Sequence, residues 1–285
     1  MKKILASLAA MTVLAWSSSV LAQAQDIKLY VFTSGSLGGF PKAALQIGGE
    51  GNIDYAPVSF YVLKHPKGNV MFDTGNNDKT IADAEGWWGP LAKGFGLKMT
   101  KDDAMAAQLA KIGMKTDDIK YVVVGHMHLD HGGNVSQFPK ATLVVQDDEM
   151  KAAWWPDVGY SVYYIPGDFA DTKKMSIMRL SGDADLFDDG TFRIVRAPGH
   201  TPGSQFAIVK LPKTGAVILT SDVVYLKESL DKNLIPPIPG TFSPKDMYES
   251  YAKIRHYRDA NNAKILYGHD PEVFKATKKA PEFYD

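Results

Sequence analysis

Gly125-His126-Met127-His128-Leu129-Asp130-His131-Gly132-Gly133-Asn134 is the stretch that decides how this chain reads. It follows directly on 119–124, an apolar, β-branched run with the composition of a buried strand. In an extended segment alternate side chains share a direction. His126 and His128 can therefore converge on one point, and Asp130 with His131, at the following turn, on a neighbouring one. Gly132 and Gly133 let the backbone turn sharply there. A solitary histidine after a strand is usually a core or surface residue, but here three histidines and an aspartate fall within six positions. Imidazole and carboxylate are the donors that zinc and similar ions take at open, hydrolytic sites. A purely structural metal site is the competing use; it closes on four ligands, often cysteines.

The rest of the chain offers more candidates than a closed site needs. Ala197-Pro198-Gly199-His200-Thr201-Pro202-Gly203 sets one histidine in a turn fixed by glycine and proline. Thr220-Ser221-Asp222 follows an apolar strand, and Tyr267-Gly268-His269-Asp270 follows the last one. There are no cysteines, which excludes zinc-thiolate sites and cysteine nucleophiles. Two further histidines, His65 and His256, have no place in the pattern and read as ordinary surface or helix residues.

Working outward, 27–32, 58–63, 69–72, 142–145, 192–197, 205–210, 217–220 and 264–267 read as further strands. Helical spacing of apolar residues predicts a helix over 101–112, and a second from Pro244 to Asp259 with Ser243 as its N-cap. Strands that alternate first with turns and later with helices suggest two packed sheets with helices outside. The 285 residues, 45% hydrophobic, suffice for a large core. No linker marks a boundary, so 25–285 reads as a single domain. Lysine plus arginine and aspartate plus glutamate both number 32, and that balance points to no nucleic-acid or anionic membrane partner.

The head of the chain is a separate matter. Met1-Lys2-Lys3 is basic, 4–21 is apolar and small, and Val20-Leu21-Ala22 and Ala22-Gln23-Ala24 both fit a small-x-small cleavage pattern. Residues 1–24 read as a secretory signal peptide, too short in its apolar part for a stable membrane anchor. The expected location is the periplasm or the medium.

The order His-x-His-x-Asp-His, then His, then Asp, then His resembles the metallo-β-lactamase superfamily. The likeness spans nearly the whole chain after the leader and includes Asp73-Thr74-Gly75. It implies an α+β fold, an αββα sandwich of two mixed sheets with helices outside and the site along one edge. It further implies two divalent ions, zinc first, with manganese, iron and cobalt as alternatives. His126, His128 and His200 would hold the first, Asp130, His131 and His269 the second, and Asp222 and a hydroxide would bridge them. Asp73 would orient a ligand or the loop that bears it, or simply form the turn. Gly125 departs from the pattern, where Ser or Thr is common, and puts one supporting contact in doubt.

Within the superfamily the chain looks most like the N-acyl-homoserine lactonases. True β-lactamases usually carry Cys, or no bridging carboxylate, at the position of Asp222. In the lactonases a Tyr three residues after the bridging Asp bonds the substrate carbonyl, and Tyr225 stands at that spacing; the bland use is a core tyrosine. The implied reaction is the opening of a homoserine lactone by a metal-bridging hydroxide, quenching a diffusible signal, with Asp130 passing a proton to the leaving alkoxide. An exported phosphotriester hydrolase of the same fold is the alternative, and a β-lactamase-like enzyme a weaker one. An acyl tail needs an apolar surface. Trp87, Trp88, Phe95, Leu97, Trp154, Trp155, Tyr160, Tyr163 and Tyr164 lie in loop-like stretches that could supply it, most of them serving the core or a homodimer contact.

Export predicts a mature chain that begins at Gln23 or Gln25. N-terminal sequencing of periplasmic material checks this; an intact Met1 on a membrane-bound product would refute it.

Overall fold

The computed structural model describes residues 27–285, so the expected signal peptide lies outside the described residues. The larger of two facing sheets runs edge to edge through β14 (Phe283–Tyr284), β1 (Lys28–Leu37), β4 (Ala56–Lys64), β5 (Asn69–Phe72), β6 (Ile119–Val123), β7 (Thr142–Gln146) and β8 (Ser176–Leu180). Pairing is antiparallel from β14 to β5 and parallel from β5 to β8. The smaller sheet has the order β13 (Lys264–Leu266), β12 (Gly215–Leu219), β11 (Gln205–Leu211), β10 (Phe192–Arg196) and β9 (Ala184–Asp185), with only the β12–β13 pair parallel. A ribbon of β2 (Phe40–Pro41) and β3 (Asn52–Ile53) stands beside them.

The period-2 alternation sorts side chains into layers. Leu29, Val31, Tyr61, Leu63, Val70 and Phe72 of the larger sheet meet Phe192, Ile194, Ala207, Val209, Val217 and Leu219 of the smaller one. Their alternates point outward. Tyr30, Phe32, Phe60, Val62 and Met71 pack under the helix Met105–Ala110 and its neighbours. Phe206, Ile208 and Ile218 pack under the helix Pro244–Asn261, which presents Met247, Tyr251 and Ile254. This is the expected αββα order. Ser243 caps that helix, its Oγ accepting from Asp246 N–H, and Asn262 ends it in the left-handed region.

Three expectations need correction. The helix read over 101–112 is divided: a 3-10 turn, Lys101–Asp103, precedes Met105–Ala110. Asp103 turns back to Thr100 N–H and Oγ1, while Asp78 accepts from Met105 N–H and starts the second piece. His65 is buried, not superficial: it stacks on Phe187 with ring centroids 4.0 Å apart, and its Nδ1 accepts from Lys67 N–H. His256 does lie exposed on its helix. The strand β8 was not anticipated, because at the sheet edge its side chains are mostly exposed and carry no alternation.

Asp168 is a buried carboxylate that ties three peripheral segments together. Its Oδ1 accepts from Asn77 Nδ2 at 2.8 Å and Trp87 Nε1 at 2.7 Å, and its carbonyl accepts from Ser136 Oγ. Burial pushes its carboxyl up to about 7, against the pull of Trp87, Asn77 and Lys79. Unfolded, it titrates near its ordinary value of about 4. The folded chain therefore holds this proton more tightly, and the stability so gained is full below about pH 4 and lost as pH rises through about 7. Asp168→Asn should remove that dependence, so the variant's urea midpoint should rise relative to wild type between about pH 4 and pH 7. Parallel profiles would refute this account.

Candidate active site

Loops at the C-terminal ends of five strands build the site. After β5 comes Asp73; after β6 come His126, His128, Asp130 and His131; the turn from β10 to β11 bears His200; after β12 come Asp222 and Tyr225; after β13 comes His269. A crevice beyond the carboxyl ends of strands is where such sheets place ligands. All seven candidate ligands meet there, and all are buried, with Asp130 the most open at 8% exposure.

They fall into two groups, His126 with His128 and His200, and Asp130 with His131, Asp222 and His269. His200 Nε2 lies 3.1 Å from His126 Nε2 and 3.0 Å from His128 Nδ1. Two nitrogens each about 2 Å from a tetrahedral ion stand about 3.3 Å apart, so this spacing suits a shared cation. Asp222 lies between the groups. Its Oδ1 is 3.1 Å from His131 Nε2 and 3.0 Å from His269 Nε2, and its Oδ2 is 3.6 Å from His200 Nε2 and 3.8 Å from His126 Nε2. His131 Nε2 and Asp222 Oδ1 are buried and close, yet neither makes a hydrogen bond of good geometry. Buried polar atoms are rarely left so unless another partner is intended. The donor set and its spacing fit two cations.

Three of the imidazoles are aimed by their second nitrogen. His200 Nδ1 donates to Gly240 O at 2.7 Å and His269 Nδ1 to Pro57 O at 3.0 Å. His131 Nδ1 meets Asp73 Oδ2 at 2.9 Å, and Asp73 Oδ1 accepts from Gly125 N–H at 2.6 Å. Asp73 thus orients both a candidate ligand, His131, and its loop. Thr74 completes the clasp: its N–H and Oγ1 both donate to His131 O, and its Oγ1 accepts from Asn134 N–H. Gly133 is needed for close approach, since a Cβ there would stand 2.4 Å from Gly75 O. Gly125 is explained the same way. A Cβ at 125 would fall 2.3 Å from Ser221 Oγ, and that hydroxyl lies 3.1 Å from His131 Nδ1. Ser221 occupies the space that a side chain at position 125 would need.

The charges divide with the groups. Burial, then the neighbouring imidazoles, hold His126 and His128 well below the ordinary histidine range, and burial lowers His200, so all three present lone pairs. Burial works against His131 and His269 too, but Asp222 and Asp130 outweigh it and raise both. Burial likewise opposes the ionised Asp222, yet His131 and His269 hold it well below the carboxylate range.

Tyr225 stands between the groups, its ring 5.5 Å from that of His200 and 5.4 Å from that of His269. Its hydroxyl is 3.3 Å from His200 Nδ1, whose one proton is spent on the shorter bond to Gly240 O. Burial and then Asp222 and Asp130 raise its pKa, so the phenol remains a donor. Tyr225, Asp130 and His269 face a cavity of about 240 Å³ walled by Leu37, Phe40, Phe95, Leu129, Tyr163 and Ile238. An adjoining hollow behind His128 and His200 takes Trp155, Tyr160 and Tyr164. The other aromatic candidates lie elsewhere. Trp88 is core, Trp154 packs on Phe169, and Trp87 bonds Asp168 beneath Lys79. Leu97 packs beside the Phe40 cluster. Of the cavity walls, Leu37, Phe40, Leu129 and Ile238 were missed in the sequence; Phe40 and Ile238 are lone apolar residues in turn-rich segments.

Comparison with known proteins adds three findings. Residues 53–269 match the metallo-beta-lactamase superfamily. An N-acyl homoserine lactonase AttM of Azorhizobium caulinodans is 36% identical over 264 residues, 91% of this chain and 99% of that protein; its namesake in Agrobacterium fabrum is 34% identical over 263 residues, with the same coverage. A solved N-acyl homoserine lactone hydrolase, with its product N-hexanoyl-L-homoserine at the catalytic metal center, superposes with a TM-score of 0.78. It is 24% identical, and the match covers 90% of this chain and 98% of that one.

Proposed function

We propose that this chain, which belongs to the metallo-beta-lactamase superfamily, is a metal-dependent hydrolase that opens the lactone ring of N-acyl-homoserine lactones. The observation that carries the reading is identity above one third with a named lactonase along 99% of its length. The geometry agrees with it: a phenol, Tyr225, and a carboxylate, Asp130, line one largely apolar cavity at the histidine–aspartate cluster.

His126, His128 and His200 would hold one divalent ion, and Asp130, His131 and His269 a second, with Asp222 reaching both. Zinc suits this nitrogen and oxygen set. Bound there, the ions would polarise a carbonyl and lower the pKa of water. The chain's own groups do the rest. The walls from Leu37, Phe40, Phe95 and Ile238 receive the acyl tail and exclude water. Tyr225 donates to the lactone carbonyl oxygen, a bond that strengthens as that oxygen gains charge. Water adds to the carbonyl carbon and the ring C–O bond breaks. Asp130 takes the proton lost by the water and returns it to the ring oxygen, which leaves as the new hydroxyl. The basic head, apolar run and small-x-small sites of residues 1–24 support a reaction outside the cytoplasm.

Two tests follow. Elemental analysis should find two ions per chain, chelation should lower the melting temperature because binding contributes to folding, and Asp222→Ala should lose most activity. One ion in fully active protein would rule out the paired site. Tyr225→Phe keeps the ring and removes only the donor. Its kcat/KM on a homoserine lactone should fall about tenfold to a few hundredfold, at unchanged metal content. An aryl phosphotriester and a chromogenic cephalosporin, assayed beside the lactone, should be poorer substrates. Full lactonase activity in Tyr225→Phe would reduce the tyrosine to packing.

A further inference from the structure

Glu149 is the one fully buried glutamate at the site that the proposed chemistry leaves unused. It lies in the first turn of the helix Asp147–Trp154, and its carboxylate takes four hydrogen bonds. Oε1 accepts from Met127 N–H at 2.8 Å and from Tyr164 Oη at 3.1 Å. Oε2 accepts from Thr201 Oγ1 at 2.5 Å and from Gly203 N–H at 3.2 Å.

Each partner adjoins a residue of the three-histidine group. Met127 is the residue between His126 and His128. Tyr164 sets its ring against His128, with centroids 4.6 Å apart. Thr201 and Gly203 belong to the turn that bears His200. The approach is close enough that a Cβ on Gly203 would stand 2.2 Å from Glu149 N. None of the four donors adjoins Asp222 or His269, and those residues take their support elsewhere. We infer that Glu149 is a positioning residue for one metal of the pair, stapling the His126–His128 loop to the His200 turn so that three imidazoles on different loops share one point.

The staple needs a carboxylate. Each oxygen holds a backbone N–H, Met127 on one side and Gly203 on the other, and a backbone donor cannot be reversed. Glu149→Gln must turn its own NH₂ against one of them whichever way the amide faces, at nearly unchanged volume.

The inference rests on the two-ion reading, and the experiment separates the two. Apoprotein of wild type and Glu149→Gln is titrated with zinc against a competing chelator, and His128→Ala shows which binding step belongs to the three-histidine group. In Glu149→Gln that step should weaken about tenfold to a hundredfold, as for other groups that orient ligands, while the other step holds. Tyr164→Phe, which loses one donor and keeps the ring against His128, should move the same step by less. It keeps the test available should Glu149→Gln not fold. Both steps weakened equally, or neither moved, overturns the inference alone. A wild-type chain with no separate three-histidine step overturns the two-ion reading, and the inference with it.

Discussion

Asp222 is a carboxylate with 3% exposure, and most of the site is arranged to keep it charged. A buried carboxylate without partners would neutralise itself at considerable cost. Here His131 and His269 stand on one oxygen, and His200 and His126 lie farther off on the other. The compensation has a topological condition. His126 and His131 follow a strand of the larger sheet, whereas His200, Asp222 and His269 follow strands of the smaller. The cluster forms only when the sheets are packed, through the interface that buries Phe72 against Phe192. Apolar burial, which has no direction of its own, brings the sheets together. The ionic cluster then makes one relative placement preferable to others.

The price is local strain. Asp73 and Ser221 both have positive φ, 59° and 47°, which side-chain-bearing residues adopt reluctantly. Such positions cost about 1–3 kcal/mol each and persist only where their surroundings over-determine them. Both stand where a strand ends and the chain must turn at once to keep a carboxylate in the crevice. Asp73 directly follows Phe72, the last residue of β5, and Ser221 precedes Asp222. Each is held on several sides. Asp73 has Gly125 N–H and His131, and Ser221 Oγ lies beside His131 against the bare Cα of Gly125. The glycine that departs from the family pattern and the strained serine opposite it are thus one feature.

Much of this was legible in the sequence. Most strands of both sheets read as nearly continuous apolar runs because they bury both faces, and the candidate ligands announce themselves by type: four within six positions, then one after each of three apolar runs. What could not be read depends on partners far along the chain. The carbonyls of Pro57 and Gly240 aim His269 and His200 from 212 and 40 residues away, and a backbone oxygen has no sequence signature. His65 looked superficial because its burial depends on Phe187, a long-range neighbour. The aromatic residues divided unpredictably for the same reason: Trp88 and Tyr163 differ in what covers them, not in local pattern.

Strand order accounts for the remaining supports. In the larger sheet β6 lies between β5 and β7. The residue just after β5 is Asp73, and the helix just after β7 carries Glu149. Asp73 accepts from Gly125 N–H and Glu149 from Met127 N–H. The histidine-bearing loop after β6 is therefore gripped by carboxylates from both flanking strand ends, on backbone groups two residues apart with His126 between them. Parallel neighbours end at the same side of a sheet, so their loops meet without long excursions. The grip requires in-register pairing: a one-residue slip of β5 or β7 would turn its core side chains to the opposite face and displace the carboxylate as well. The pairings Phe72 with Val123 and Val123 with Val144 thus fix the place of His126 as surely as any contact made by the imidazole itself.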